Sequence, residues 1–276
     1  MSSQTNKTII DNLQLAYRAV LLQIVRSLEK DQQEQLRFYF KELIKMGDPR
    51  ALSILSSLEN EGKISWTDVS FLKDGLREVG RLDLAKNLTE FEIKRNLTVL
   101  LDFYARMRQG SRESSIRSAL DSVEKVAEYL LIITRDVAQD GFDVSESVRS
   151  LVGESRDVKN LMREFEEKCD QELTDPWSKL TLLIVFSCEI LAVALAKEEH
   201  HQKQEVMRLL FTAAEDLFPR ILKLGNWEEF CDHVTKRYHL VYNQENAVSD
   251  TEATSLTIKK QIADVVQHLK QTNFFS

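Results

Sequence analysis

Glycine and proline are scarce. The 276 residues include 8 Gly and 3 Pro, about a third of the ordinary share. Hairpin-rich sandwiches and barrels need such residues at their corners, so an all-β fold is excluded. Collagen-like and low-complexity classes go with it. Only three cysteines occur, Cys169, Cys188 and Cys231. They close no disulfide framework and read as reduced thiols of a cytoplasmic protein. No basic block exceeds two adjacent Lys or Arg, and the net charge is −7. Nucleic acid and an anionic membrane surface are therefore not expected partners. The first twelve residues lack an apolar run behind a basic head, so no secretory signal is expected. On that reading the sequons at Asn87 and Asn96 go unglycosylated.

What is present is helical period. Leu13, Ala16, Val20, Ile24 and Leu28 predict a helix over 13–28. A second is expected over 31–44, with Leu36, Tyr39, Phe40, Leu43 and Ile44 inward. Asp48-Pro49 reads as a helix start leading through Leu52, Leu55 and Leu58 to Gly62. Ser65-Trp-Thr-Asp68 resembles a capping box before a helix that Gly80 ends. Another helix begins at Arg81. Beyond residue 97 the helices lengthen, with helices expected at 97–108, about 114–138, between 144 and 170, at 177–196 and at about 204–217. Pro219 is expected to kink or restart the chain. Asn226 caps a further helix. Residues 244–254 read as a polar loop and 255–270 as an amphipathic helix.

The run Leu180–Ala196 is apolar on nearly every side and carries one charge, Glu189. A spanning helix wants about 20 largely uncharged residues, so a helix surrounded by protein is the better reading. A bundle of about 90 residues cannot surround it, and a second, larger helical domain is required.

Catalytic chemistry is not in view. His200 and His201 point about 100° apart on a helix and do not converge on one metal. There is no nucleophile motif and no glycine-rich phosphate loop. No enzyme activity, cofactor or metal is expected.

One residue breaks the pattern of the second helix. Phe38 falls opposite the Leu36/Phe40 stripe, beside Glu34, Lys41, Glu42 and Lys45. The surrounding text, Leu36-Arg-Phe-Tyr-Phe40, Leu58-Glu-Asn-Glu-Gly-Lys-Ile64 and Phe71 through Leu84, resembles a death effector domain. Its hallmark Arg-x-Asp-Leu is Arg81-Leu82-Asp83-Leu84 here. The resemblance implies a six-helix death-fold bundle that assembles homotypically with adaptor and initiator-caspase death effector domains. It also implies an exposed contact aromatic at Phe38 and a charge triad of Arg81, Asp83 and an acid on the second helix. That acid would stand at Gln32. The nearest carboxylates are Asp31, one residue early, and Glu34.

A second resemblance covers 97–243. Glu172-Leu-Thr-Asp-Pro-Trp-Ser-Lys179 and Gly225-Asn-Trp-Glu-Glu-Phe230 resemble the first and second homology motifs of the B-cell-lymphoma (Bcl) family. Leu97–Phe103 resembles the fourth motif, and Ala119, Val123, Val126, Ala127, Glu128 and Leu130 the third. The resemblance implies a helical bundle of Bcl-like type with a groove for an amphipathic partner helix. Its candidates are Val123, Val126, Glu128, Trp177, Ser178, Lys179 and Trp227. Lys179 stands where that family has Arg, and keeps the charge without the bidentate fork.

The expected organisation is all-α: a death-fold domain over 1–97, a larger helical domain over 98–243, and a loop with an amphipathic helix over 244–276. The expected function is non-enzymatic regulation of apoptosis, through death effector assembly and a groove for Bcl-family helices. The alternative is a scaffold whose second bundle has no groove.

Overall fold

A computed structural model describes residues 2–41, 50–110, 120, 121–139, 163, 165–167, 169–170, 173–196 and 203–242. The expected start at Asp48-Pro49, most of the 144–170 helices, the 244–254 loop and the 255–270 helix lie outside these residues. Every regular element described is a helix: α1 Ser2–Ser27, α2 Lys30–Phe40, α3 Ala51–Asn60, α4 Ser70–Glu78, α5 Leu82–Arg108, α6 Asp121–Gln139, α7 Pro176–Ala196, α8 Lys203–Leu224 and α9 Trp227–Tyr242. The fold is all-α. Contacts divide the chain into two compact units, Met1–Arg95 with Ser118–Leu120 and Asn96–Arg117 with Asp121–Ser276.

The first unit closes around α1 to α4 and the first half of α5. Ile24, Leu36, Phe40, Leu58, Leu72 and Leu88 are fully enclosed, each contributing about 1.5–3 kcal/mol of burial. Phe40 stacks on Phe71, with ring centroids 4.9 Å apart. Gly75 makes room for that ring, since a Cβ there would lie 2.3 Å from Phe40 Cζ. Gln33 of α2 fastens the end of α1 and the start of α3. Its Nε2 donates to the Leu28 carbonyl at 2.9 Å, and its Oε1 accepts from the Ala51 amide at 3.0 Å. Gly62 and Gly80 end α3 and α4 with φ of 66° and 74°, which only glycine adopts freely.

Several boundaries differ from the sequence reading. Tyr39 and Leu52, expected inside, are exposed, because each lies at the edge of its helix's apolar stripe. Ser65–Asp68 is not the start of α4. Ser65 Oγ accepts from the amides of Thr67 and Asp68, both at 3.2 Å, forming a turn. The Asp68 carboxylate then accepts from the Ser70 amide at 2.9 Å, where α4 begins. The separate helices expected at 81 and 97 are one helix, α5. No Gly or Pro interrupts 82–108, and apolar residues recur at Leu88, Phe91, Leu97, Leu101 and Tyr104. Pro219 does not restart the chain either. It lies inside α8, where the loss of one N–H is tolerated within a helix buried along Val206, Leu210, Ala214, Leu217 and Ile221.

In the second unit α7 is the central element. Leu180, Leu183, Ile184, Phe186, Ile190 and Leu191 are all buried, as is Glu189. Phe186 stacks on Phe165 at 4.0 Å. α8 packs along α7, and α9 along α6. Among the described residues α7 alone has the length and hydropathy of a membrane span, and 72 % of that apolar window is buried inside the protein.

Candidate functional site

α2 turns two faces outward and inward by its 3.6-residue period. Leu36 and Phe40 enter the core, while Phe38 is 77 % exposed, as its place on the charged face requires. Phe38 and Tyr39 border a surface depression of about 950 Å³, whose rim carries Asp31, Glu34 and Glu78 against Lys41. The depression therefore joins an aromatic wall to an acidic edge. A partner with apolar anchors and basic flanks matches it.

Arg81, at the N-terminal end of α5, does not line the depression but bonds to the start of α2. Its Nε donates to Asp83 Oδ1 at 2.9 Å and its Nη2 to Asp83 Oδ2 at 2.7 Å, a bidentate fork. Nη1 donates to Gln32 Oε1 at 2.9 Å and also to the Ser27 carbonyl. The Arg81 hydrogen bond holds the Asp83 carboxyl down at about 2, and Asp83 in turn raises Arg81. Asp83 also sits in the first turn of α5, where the helix dipole favours an anion.

Asp31 is not the third member of this group. Gln32 takes the position, and its Oε1 also accepts from the Glu29 amide at 3.1 Å, within a capping box at the start of α2. Asp31 lines the depression with Phe38 instead. A helix advances about 100° per residue, so one position of offset is enough to aim Asp31 elsewhere. The Ser27 carbonyl as a partner of Arg81 carries no signal in the sequence, because it depends on how α1 ends.

In the second unit the groove candidates separate. Val123 and Val126 are buried, so in this arrangement they are interior residues and not walls of an open cleft. Glu128 is exposed. Trp227 is buried, with its ring 5.3 Å from Phe230. Trp177 is half-buried against Phe230 and His233, at 6.4 and 6.1 Å. Burial holds His233 below its ordinary range. Ser178 donates to the Asp175 carboxylate, which also accepts from Arg237 at 3.1 Å. Lys179 pairs with Asp170 at 3.0 Å. Its charge is already met within the chain.

In the sequence Glu189 reads only as an interruption of an apolar run. The structure gives it partners. Tyr104 donates its hydroxyl to Glu189 Oε1 at 2.7 Å, and Arg108 Nε lies 3.2 Å from the same oxygen. Thr134 Oγ1 is 3.1 Å from the Tyr104 oxygen. These contacts fix the register of α5, α6 and α7. Cys169 and Cys188 are buried, and burial raises both thiols, Cys169 to about 12. Neither is poised as a nucleophile. Among the described residues no cluster of three or more His, Cys, Asp or Glu is placed to hold a metal ion.

Residues 17–94 match the family model of the death effector domain. The match covers α1 from Tyr17 through the first half of α5, and so includes Phe38, Gln32, Arg81 and Asp83. It ties this segment to homotypic interaction within the death fold and to apoptosis. No curated protein and no solved structure matches the chain.

Proposed function

We propose that this chain is a non-enzymatic, cytoplasmic regulator of apoptosis that joins other death effector domains through the face carrying Phe38. The observation that supports it most is a fully formed helix presenting a phenylalanine to solvent inside the matched segment. A large exposed aromatic beside an acidic rim has no part in holding α2 in place, and aromatic anchors carry much of the energy of protein contacts. Arg81 and Asp83 complete the face. Their mutual fork leaves them neutral as a pair, so they set orientation more than affinity.

The domain reading that follows assigns 1–97 to this assembly and 98–243 to a second helical body. For that body the scaffold reading is favoured over the helix-binding groove. Val123 and Val126 are covered, and Lys179 is paired with Asp170. A Bcl-like groove requires both to be released. The partners are then adaptor or initiator-caspase death effector domains, and Bcl-family helices are the second possibility.

The test mixes the full chain with a purified adaptor death effector domain and follows co-sedimentation, with a labelled amphipathic Bcl-homology peptide as a parallel titrant. Saturable association with the domain and none with the peptide supports the scaffold reading. Binding of the peptide alone overturns it.

A further inference from the structure

Phe38 is not the only large apolar residue left in solvent. On α1, Leu15 is 69 % and Leu22 49 % exposed. The inward stripe of the same helix is Ile9, Leu13, Tyr17, Leu21 and Ile24, all buried. Leu15 and Leu22 are seven residues apart, two turns, and so share one line on the outer face.

That line continues in both directions with charge. Asp11 lies four residues before Leu15, and Arg26 four residues after Leu22. Both are exposed, and neither has an ion-pair partner among the described residues. The order along the outer face is therefore acid, leucine, leucine, base, with equal spacing at the two ends. Arg18, which stands near the middle, is drawn aside by Glu59 of α3 at 2.6 Å. Ala19, also exposed, leaves the centre of the line small.

Such a pattern is complementary to itself when reversed. Turned by a two-fold axis between positions 18 and 19, α1 of a second copy sets Leu22 against Leu15 and Arg26 against Asp11, twice over. We propose that the outer face of α1 is a self-association surface on which a second copy of this chain docks antiparallel, through Leu15, Leu22 and two Asp11–Arg26 pairs. The contact is isologous, so it closes at two copies. It is separate from the α2 face, and its existence does not depend on the death effector reading. A single helix face falls short of the roughly 1,200 Å² of a stable interface. The association is accordingly weak alone and adds to any other contact between the same copies.

Charge reversal tests the register. The full chain is followed by sedimentation equilibrium up to high micromolar concentration, in low salt, as wild type, Asp11→Arg, Arg26→Asp and the double variant. Wild type is expected to dimerise. Each single reversal sets like charges face to face twice and weakens the dimer about tenfold. The double reversal restores the pairs and the dimer with them. Leu22→Asp removes association with circular dichroism unchanged, because Leu22 lies outside the core. A wild type that stays monomeric throughout overturns the proposal, as does a double variant no better than the singles. Association insensitive to all four changes but lost in Phe38→Asp places self-contact on α2 and also overturns it.

Discussion

Arg81 forks onto Asp83, with Nε to Oδ1 at 2.9 Å and Nη2 to Oδ2 at 2.7 Å, and directs its remaining nitrogen to the Gln32 amide rather than to a second carboxylate. The result is a balanced charge pair held between the end of α1, the start of α2 and the start of α5. Its pH behaviour follows directly. The Asp83 carboxyl is held down at about 2 against an ordinary 3.8. A depressed carboxyl contributes stability above its unfolded value, and the contribution disappears as pH falls through the folded one. The window is thus about pH 4 to 2. Carboxyl NMR titration should place Asp83 near the bottom of that window, and Arg81→Ala should return it toward 3.8. An unmoved midpoint in the variant would show that Arg81 is not the cause.

Gln32 offers a second check on the same cluster. Gln32→Ala removes acceptors for Arg81 and for the Glu29 amide, and should cost about 1 kcal/mol in urea unfolding. Gln32→Glu keeps both and adds a charge, for a gain of about 0–1 kcal/mol, since Arg81 and Asp83 already neutralise each other. An alanine variant as stable as wild type would mean the amide contributes nothing to the cluster.

Gly75 is required by shape. Alanine there gains about 1 kcal/mol of helix propensity. Its Cβ, however, meets Phe40 Cζ at 2.3 Å, and Phe40 is enclosed and stacked on Phe71. Overpacking of this kind costs about 1–3 kcal/mol, so Gly75→Ala should be destabilised on balance. Thermal or urea unfolding of the variant reads the sign.

Glu189 should behave as a keystone of the second unit. Glu189→Leu removes the carboxylate that accepts from the buried Tyr104 hydroxyl at 2.7 Å and lies 3.2 Å from Arg108 Nε. Breaking one side of a buried pair costs about 3–5 kcal/mol. Arg108 is partly open to water, which moves the expectation to the lower end of that range. Glu189→Gln, which keeps an acceptor for Tyr104, should recover about half. A leucine variant more stable than wild type would identify the network as dispensable.

Much of this was legible in the sequence where one helix face decides the matter. Phe38 stands out because Glu34, Lys41 and Glu42, three and four residues away, are charged, and its exposure follows from the period. The enclosure of α7 followed from apolar residues on every side. Tyr39 and Leu52 were misplaced because a residue at the margin of a stripe is assigned by its neighbours in space, which a wheel does not contain. The continuity of α5 was hidden by a change of texture near residue 97, although nothing in 82–108 breaks a helix. In the sequence Gln32 reads only as a missing acid. That a neutral amide can take the acid's geometric place, accepting from Arg81 while capping α2, requires the packing of α1, α2 and α5 to be known.

The central claim is that residues 17–94 associate through the exposed aromatic of α2. The direct measurement is Phe38→Asp in the full chain, titrated against an adaptor death effector domain by light scattering or sedimentation, with circular dichroism as the control for folding. Because Phe38 lies outside the core, the variant should keep its helical spectrum and thermal midpoint, while a lost central anchor should weaken association by about 2 kcal/mol or more, roughly thirtyfold. A folded variant that binds the domain as tightly as wild type would contradict the claim and move the contact surface away from α2.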